Sequence, residues 1–466
     1  MSGAAERKET LTEGLASYWA NAAYGDIPDA CVSAAKRLIL DALAASVAGA
    51  HEEVVDALVR GAMEASEGAS GSCTLWGRDE RIAPPLAAMI NGTSAHALEL
   101  DDFGGCGHSG AVVIPAAVAF AERLGSSGKD LITSIVAGYD VAARVLEGAG
   151  GYRPHNEAGW HSTGTCGSFG SAAAVAKLMK LEMGQFADAL GVAGTFTGGI
   201  WAYLVDGAMT KRFHPGKAAE NGLSAAILAR AGMTGPRYVL EAEWGGFYGT
   251  YSRTAATPAA TLAGLGTDFR ILRSGMKPYA CCRAAHACID AVLYMRREAE
   301  IAPDMVERIR VHGNAQTLRQ FGRKEIETLL EAQFSLPYVL AVALESGAAD
   351  LNQFVPLRTD SATVSRLIQK TEIVSDRVLA PTEYPPVVIE LKDGRRLERQ
   401  VTFAKGAPEN PLTDAELHQK VMTLLEPTLG TAQAAQLVDA VAAIETCGDV
   451  RELTSLLVPI KSRRLA

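Results

Sequence analysis

The sequence predicts a mostly α protein, a large discontinuous all-helical domain plus a smaller α+β domain. Three observations carry this. Apolar residues recur at helical spacing through the first part of the chain, as in Ala35, Leu38, Ile39, Ala42 and Leu43. Near residue 270 the composition changes: Val306, Ile309 and Val311 flank charged residues as in a strand, and two runs around Lys392-Asp393-Gly394 read as a hairpin. After Pro408 and Pro411 the helical texture returns, from Asp414 to Leu457, as though both chain ends built one domain. The boundaries are drawn at 1–271, 272–404 and 405–466.

A chain of 466 residues is long for one core, so two domains are expected and three are admissible. Hydrophobic content of 48% against 21% charged residues describes a well-packed interior, and 46 glycines beside frequent alanine suggest helices in close approach. The net charge of −9 argues against a nucleic-acid partner, which would ask for a basic surface, but leaves room for a small anion held by local cations. Eight cysteines without a CxxC pair read as reduced thiols of a cytoplasmic protein rather than a disulfide frame or zinc site. The polar start MSGAAERKETLTEG lacks an apolar h-region, and no uncharged run of membrane-spanning character reaches about 18 residues, so neither export nor membrane insertion is expected.

Each element has its own signal. Ile27-Pro28-Asp29 opens a helix that Gly49 closes, and SCTLWGRDER from Ser72 is a turn-rich break. Pro84-Pro85 opens the next helix, which runs to about Leu98 and delivers His96 and Glu99 near its end. Ala111–Leu124 and Asp130–Gly148 are further helices. The stretch Gly151–Leu181 is irregular and polar in its first half, with Tyr152, Arg153, His155 and His161, and a small-residue buried helix in its second. Lys211, Arg212, His214 and Lys217 make a cationic turn before a helix from Ala218 to Gly232. A helix passes through His286 to Arg297, and a strongly apolar one spans Ser335–Leu344.

The densest chemistry lies in Asn91–Pro115, NGTSAHALELDDFGGCGHSGAVVIP. His96 and His108 bracket Glu99, Asp101 and Asp102, and a glycine-rich run separates the acids from the second imidazole. Adjacent acids repel unless something pairs them, and glycines are justified where chain must bend or approach another group closely. A site-building loop accounts for this, as would a capped helix connection with solvated acids. His161 precedes a helix N-terminus whose free N–H groups favour anions, though a single imidazole is more often structural.

These blocks together resemble the MmgE/PrpD family, whose members include 2-methylcitrate dehydratase, cis-aconitate decarboxylase and iminodisuccinate epimerase. The carriers are NGTSAHALELDD with GHSG downstream, GWHSTGTCGSFGSAAAVAKLMKL, MTKRFHPGKAAENG, KPYACCRAAH and QFSLPYVLAVAL, in the family's order over nearly the whole chain. The resemblance implies a helical domain made from both chain ends, a smaller α+β lid, an active site in the crevice between them, a homodimer, and no metal or organic cofactor. It also assigns residues. Asp101 and Asp102 match the paired acids and His108 the following histidine. Glu99 falls where the decarboxylase branch has an aspartate. His161, Lys211 and Lys277 match the histidine and two lysines of the later blocks, and Tyr152 stands near a tyrosine proposed as base in the epimerase.

All three family reactions place negative charge beside a carboxylate, which cations and imidazoles answer. His108 and His161 are therefore expected as acid and base, with Lys211 in the same catalytic set and Asp102 orienting an imidazole, each acid–base role typically contributing about 10²- to 10⁴-fold. Lys277, Arg283, Cys282, His286, His214, Glu99 and Asp101 are assigned to binding of a small anionic carboxylate. The departures are specific. Cys282 stands where the decarboxylase branch carries a lid histidine, Ser109-Gly110 follows His108 where Pro-Ser is common, and the linker after Asp102 is one residue short. A hydro-lyase of the 2-methylcitrate dehydratase kind is expected first, with epimerisation of an iminodisuccinate-like dicarboxylate or cis-aconitate-type decarboxylation as alternatives.

Other classes have weaker support. His96, Glu99, Asp101, Asp102 and His108 would suit a metal by residue type, but hydrogen bonding around a site uses the same residues. Adjacent Cys281-Cys282 is poor geometry for an iron–sulfur cluster, and no GxSxG elbow is present. A binding protein that had lost its chemistry would not be expected to keep His108, His161, Lys211 and Lys277 together.

Overall fold

The computed structural model describes residues 9–252, 255–380 and 383–460. The chain forms two compact units: 1–97, 101–274 and 421–466 in the first, 98–100 and 275–420 in the second. The second unit thus ends inside the helix Asp414–Leu429, and a three-residue piece around Glu99 belongs with it.

The first unit is helical, as the spacing predicts. Its framework is α1 (Leu11–Asn21), α2 (Asp29–Gly49), α3 (Glu53–Ala65), α4 (Pro84–His96), α5 (Gly110–Leu124) and α6 (Gly128–Gly148). Then follow α7 (Tyr152–Glu157), α8 (Ser162–Thr165), α9 (Gly167–Leu178), α10 (Met183–Ala193) and α11 (Thr210–Arg230). Helices α4, α5, α9 and α11 pack on one another. The sequences of α4, α5 and α9 are apolar or small on almost every face, and such helices have little solvent side to present. The break SCTLWGRDER contains a short antiparallel ladder, Cys73↔Ile82 and Thr74↔Arg81.

One expectation fails instructively. Lys211, Arg212, His214 and Lys217 are expected as a turn before a helix at Ala218, yet α11 begins at Thr210 and runs through Pro215 and Gly216. The glycine serves packing. A Cβ at Gly216 would stand 2.1 Å from the Met89 carbonyl oxygen and 2.3 Å from Thr93 Oγ1, and one at Gly92 would stand 2.9 Å from Gly216 Cα. Helices α4 and α11 therefore cross backbone to backbone, which only glycine permits. The cationic residues 211–217 consequently sit on the first turns of a helix rather than on a loop.

The second unit holds a four-stranded sheet. Val306–Gly313 lies between Thr371–Ser375, to which it is parallel, and Val387–Leu391, to which it is antiparallel; Arg396–Arg399 completes the edge. The hairpin turns at Gly394, whose φ of 89° suits glycine. Strict alternation would put Val306 and Ile309 on opposite faces, but the register shifts between Val306 and Arg308 and both are buried. The apolar helix Leu336–Ser346 is almost wholly buried, capped by the Ser335 hydroxyl accepting from Tyr338 N–H.

No described helix is long and apolar enough to cross a membrane. All eight cysteines are free, and six are buried.

Candidate active site

The crossing of α4 and α11 places a buried imidazole against a buried ammonium. His96 ends α4 and Lys211 stands in the first turn of α11, 0% and 4% exposed, with Lys211 Nζ 3.2 Å from His96 Nε2. On its other side His96 Nδ1 lies 3.1 and 3.0 Å from the two oxygens of Asp101, itself fully buried. These partners fix the tautomer: Nδ1–H donates to the carboxylate, so Nε2 accepts from the lysine. The imidazole is held well below its ordinary pKa by burial, with the Lys211 charge adding to the effect and Asp101 opposing it.

His108 joins the same carboxylate. Its Nδ1 is 3.0 Å from Asp101 Oδ2 and 3.0 Å from the Asp102 carbonyl oxygen, and its ring centroid is 4.4 Å from that of His96. Two oxygen acceptors require a proton on Nδ1, which leaves Nε2 with a lone pair whenever the ring is neutral. The side chain is 17% exposed against 0% for His96, so His108 is the member of this pair that a reactant can meet.

The glycine-rich run explains how His108 arrives there. Gly104 and Gly107 exchange backbone hydrogen bonds of 3.1 and 2.8 Å, with φ of 102° and 126°. A Cβ on Gly107 would stand 2.5 Å from Thr163 Oγ1, so the turn lies flat against the residues that follow His161.

His161, 2% exposed, precedes α8. Its ring centroid lies 6.5 Å from that of His96 and 6.3 Å from that of His108, with the Trp201 ring edge-on at 5.1 Å. Its Nδ1 is 3.0 Å from Nδ1 of His214, on the second turn of α11. Burial holds His161 well below the usual histidine pKa, with His214, His108 and His96 adding to it. His214 is lowered to about 4 by burial and by Lys211.

The two expected acids have separate roles. Asp102 is buried, but its carboxylate accepts from Gly110 N–H at 2.9 Å and from Tyr139 Oη at 2.8 Å, tying the start of α5 to α6. Burial, and then the neighbouring Asp101, raise its pKa to about 7. The carboxylate that orients imidazoles is Asp101, and Asp102 contributes only its backbone carbonyl to His108. Tyr152 is 54% exposed on α7, an unsuitable setting for a base. The buried member of that helix is His155, whose Nε2 lies 2.8 Å from Thr165 Oγ1.

The remaining expected residues lie in the second unit, with a cationic cluster of its own. Lys277 Nζ is 3.1 Å from Glu99 Oε2 and both are buried; Glu99 adopts φ of 56°. Arg283 Nη2 donates to the Ala404 carbonyl at 3.2 Å. His286 Nε2 lies 3.2 Å from the Cys281 carbonyl, and the ring is held well below its ordinary pKa by burial, then by Arg283 and Lys277. Cys282 is half-buried, its N–H bonded to the Gln333 carbonyl.

The sequence supplied no role for His96 beyond membership of the charged stretch, and no sign of Tyr139, Trp201 or Tyr203. Only the i to i+5 spacing of His96 and Asp101 around a helix end hinted that the two could meet.

His96, Asp101 and His108 have donor atoms within 4.8 Å of one another, so they are also the residues that could hold a metal ion. The Asp102 carbonyl against His108 Nδ1 weighs against that nitrogen as a ligand, since it demands a hydrogen where a metal needs a lone pair.

Fold and site together define a helical protein with an imidazole–carboxylate–lysine centre, suited to moving protons beside an anion. Residues 13–259 match the MmgE/PrpD N-terminal domain and residues 279–446 the MmgE/PrpD C-terminal domain. The chain belongs to the MmgE/PrpD family. It is 30% identical to the cis-aconitate decarboxylase-like protein oryM of Aspergillus oryzae, over 93% of this chain and 94% of that protein. It is 28% identical to the cis-aconitate decarboxylase of Aspergillus terreus, over 98% and 97%, and 28% identical to that of Homo sapiens, over 96% and 95%.

Proposed function

We propose that the protein is a lyase releasing CO₂ from a small unsaturated tricarboxylate of the cis-aconitate class, using its own side chains and no metal or organic cofactor. Near full-length similarity to proteins named as cis-aconitate decarboxylases carries this reading, and it moves decarboxylation ahead of the dehydration expected first. The chemistry of the imidazole cluster supports it. When the bond to the departing carboxylate breaks, its electron pair stays on the substrate. The Lys211 ammonium, held in place by His96, is the buried positive charge that meets it. A proton must then reach carbon, and His161 and His108 are the acids available, giving R–CO₂⁻ + H⁺ → R–H + CO₂.

Cys282 favours a second reading. It stands where the resemblance puts a histidine in the decarboxylase branch, so elimination of water from a 2-methylcitrate-like hydroxy acid, with one imidazole taking an α-proton and another protonating the leaving hydroxyl, is the alternative. Incubation with cis-aconitate, 2-methylcitrate, citrate and iminodisuccinate in D₂O, followed by NMR, separates the outcomes. CO₂ loss with deuterium at the new C–H bond supports the first reading. Water loss from 2-methylcitrate alone, or deuterium exchange with the skeleton intact, replaces it.

The protein is further proposed to be a cytoplasmic homodimer. Ile200, Leu204 and Val205, 52%, 51% and 91% exposed in one short stretch, are apolar side chains that a second copy would cover. A monomeric mass in sedimentation would refute this.

A further inference from the structure

His161 is buried, yet any reaction that spends its proton requires that the proton be replaced. The structure offers a path. A cavity of about 660 Å³ in the first unit is lined by His214 together with Gly199, Tyr203, Lys217 and Asn221. Lys217, in that lining, is exposed, so the cavity communicates with solvent. Among the described residues His161 is not part of that lining; His214 is, and its Nδ1 is 3.0 Å from Nδ1 of His161.

The contact is built by several features. Gly199 accepts the His161 backbone N–H on its carbonyl at 3.0 Å, which fixes the start of α8. A Cβ on the same glycine would lie 3.3 Å from His214 Nδ1, and φ of 112° already disfavours any side chain there. Tyr203 meets both rings edge-on, at 6.3 Å from His161 and 5.7 Å from His214. Two ring nitrogens at hydrogen-bond distance must share one proton: one donates, the other accepts. With Nδ1 of His161 so engaged, its Nε2 is the nitrogen left for a reactant.

We propose that His214 is a proton relay, replenishing His161 from the solvent-open cavity. In the decarboxylation proposed above, on which the directional form of this inference rests, the C–CO₂ bond breaks and its electron pair stays on carbon. An N–H bond of His161 breaks as the new C–H bond forms. His161 gives up the proton on Nε2 and takes one on Nδ1 from His214 Nδ1, His214 takes one from cavity water, and both rings return to their starting tautomers by exchange with solvent before the next turnover. His214 thus acts through His161 rather than on the substrate, which differs from the substrate contact expected of it from sequence.

The test uses His214→Asn in the full chain with two readouts. In steady-state kinetics on cis-aconitate, kcat falls about 10- to 100-fold with KM little changed, less than the loss expected for removing His161 itself. Added imidazole restores the rate in proportion to its concentration, which a merely structural role would not allow. Unchanged kcat, or a raised KM with unchanged kcat, overturns the relay. The second readout needs no substrate: in protein labelled with ¹⁵N-histidine, exchange of the His161 ring proton with water slows at least tenfold in the variant. Equal exchange rates overturn the proposal even if the variant folds poorly in assay buffer. Slowed exchange in a protein that fails to decarboxylate cis-aconitate leaves the relay standing and refutes the proposed reaction.

Discussion

Replacing Asp101 with asparagine changes one oxygen to nitrogen at the point where two imidazoles meet. In the native site His96 Nδ1 donates to the Asp101 carboxylate, 3.0–3.1 Å from both oxygens, while His108 Nδ1 donates to the Asp102 carbonyl and stands 3.0 Å from Asp101 Oδ2. The amide keeps one acceptor and turns the other into a donor, and His96 Nδ1, within 3.1 Å of both positions, meets an N–H in either orientation. Its proton then moves to Nε2 and faces the Lys211 ammonium, donor against donor, so the site holds the wrong tautomer, a defect worth up to about 10⁴-fold in rate where an imidazole is the base. Hydrogen bonds to a charged group contribute about 1.5–3 kcal/mol each, and losing the buried charge offsets part of that, so stability should fall by only about 1–3 kcal/mol. The assay is kcat/KM on whichever carboxylate is turned over, with calorimetry and ¹⁵N shifts of His96 reporting fold and tautomer. Activity within about threefold of wild type, or an unchanged His96 tautomer in a folded variant, would refute the reasoning.

Asp102 should behave differently because its carboxylate serves packing. Its folded pKa, about 7, is raised above the unfolded value. The group therefore contributes stability that is present below about pH 4 and lost as pH rises to about 7. Asp102→Asn abolishes that titration, so denaturant melts should show the variant gaining on wild type across this window, by on the order of 4 kcal/mol at most. A gap independent of pH would contradict the assignment. Glu99→Gln leaves Lys277 as a buried charge without its carboxylate partner and should cost about 3–5 kcal/mol in thermal unfolding, whereas Glu99→Gln with Lys277→Met should recover much of it. Additive losses in the double variant would mean the pair is not coupled. Finally, exhaustive treatment with a chelator should leave turnover unchanged; stoichiometric zinc or iron lost together with activity would establish a metal at His96, Asp101 and His108.

Much of the fold was legible because helix and strand signals are local. The helices α2, α5 and α6 follow from residues within a few positions of one another, as does the hairpin around Gly394. Reading failed where local signs served distant partners. The cationic stretch 211–217 reads as a turn, but its Gly216 answers the backbone of α4, and no window of sequence contains both helices. The second unit likewise runs past the composition break at 404 to Lys420, inside a helix whose spacing is continuous.

The site divides along the same line. The resemblance to the family pointed to His108, His161, Lys211 and the acid pair, a set whose imidazoles and cations suit chemistry beside a carboxylate. Which acid holds which ring was undetermined. Asp101 and Asp102 are neighbours of one type, and their division of labour depends on what surrounds them: two imidazoles for one, a tyrosine and a helix start for the other. His96 meets Lys211 across 115 positions of sequence only because two glycines let their helices touch. The sequence determined the chemical inventory and the local elements. Tertiary structure alone decided the pairing, since hydrogen bonds at 3 Å follow from how helices cross and not from the order of residues along the chain.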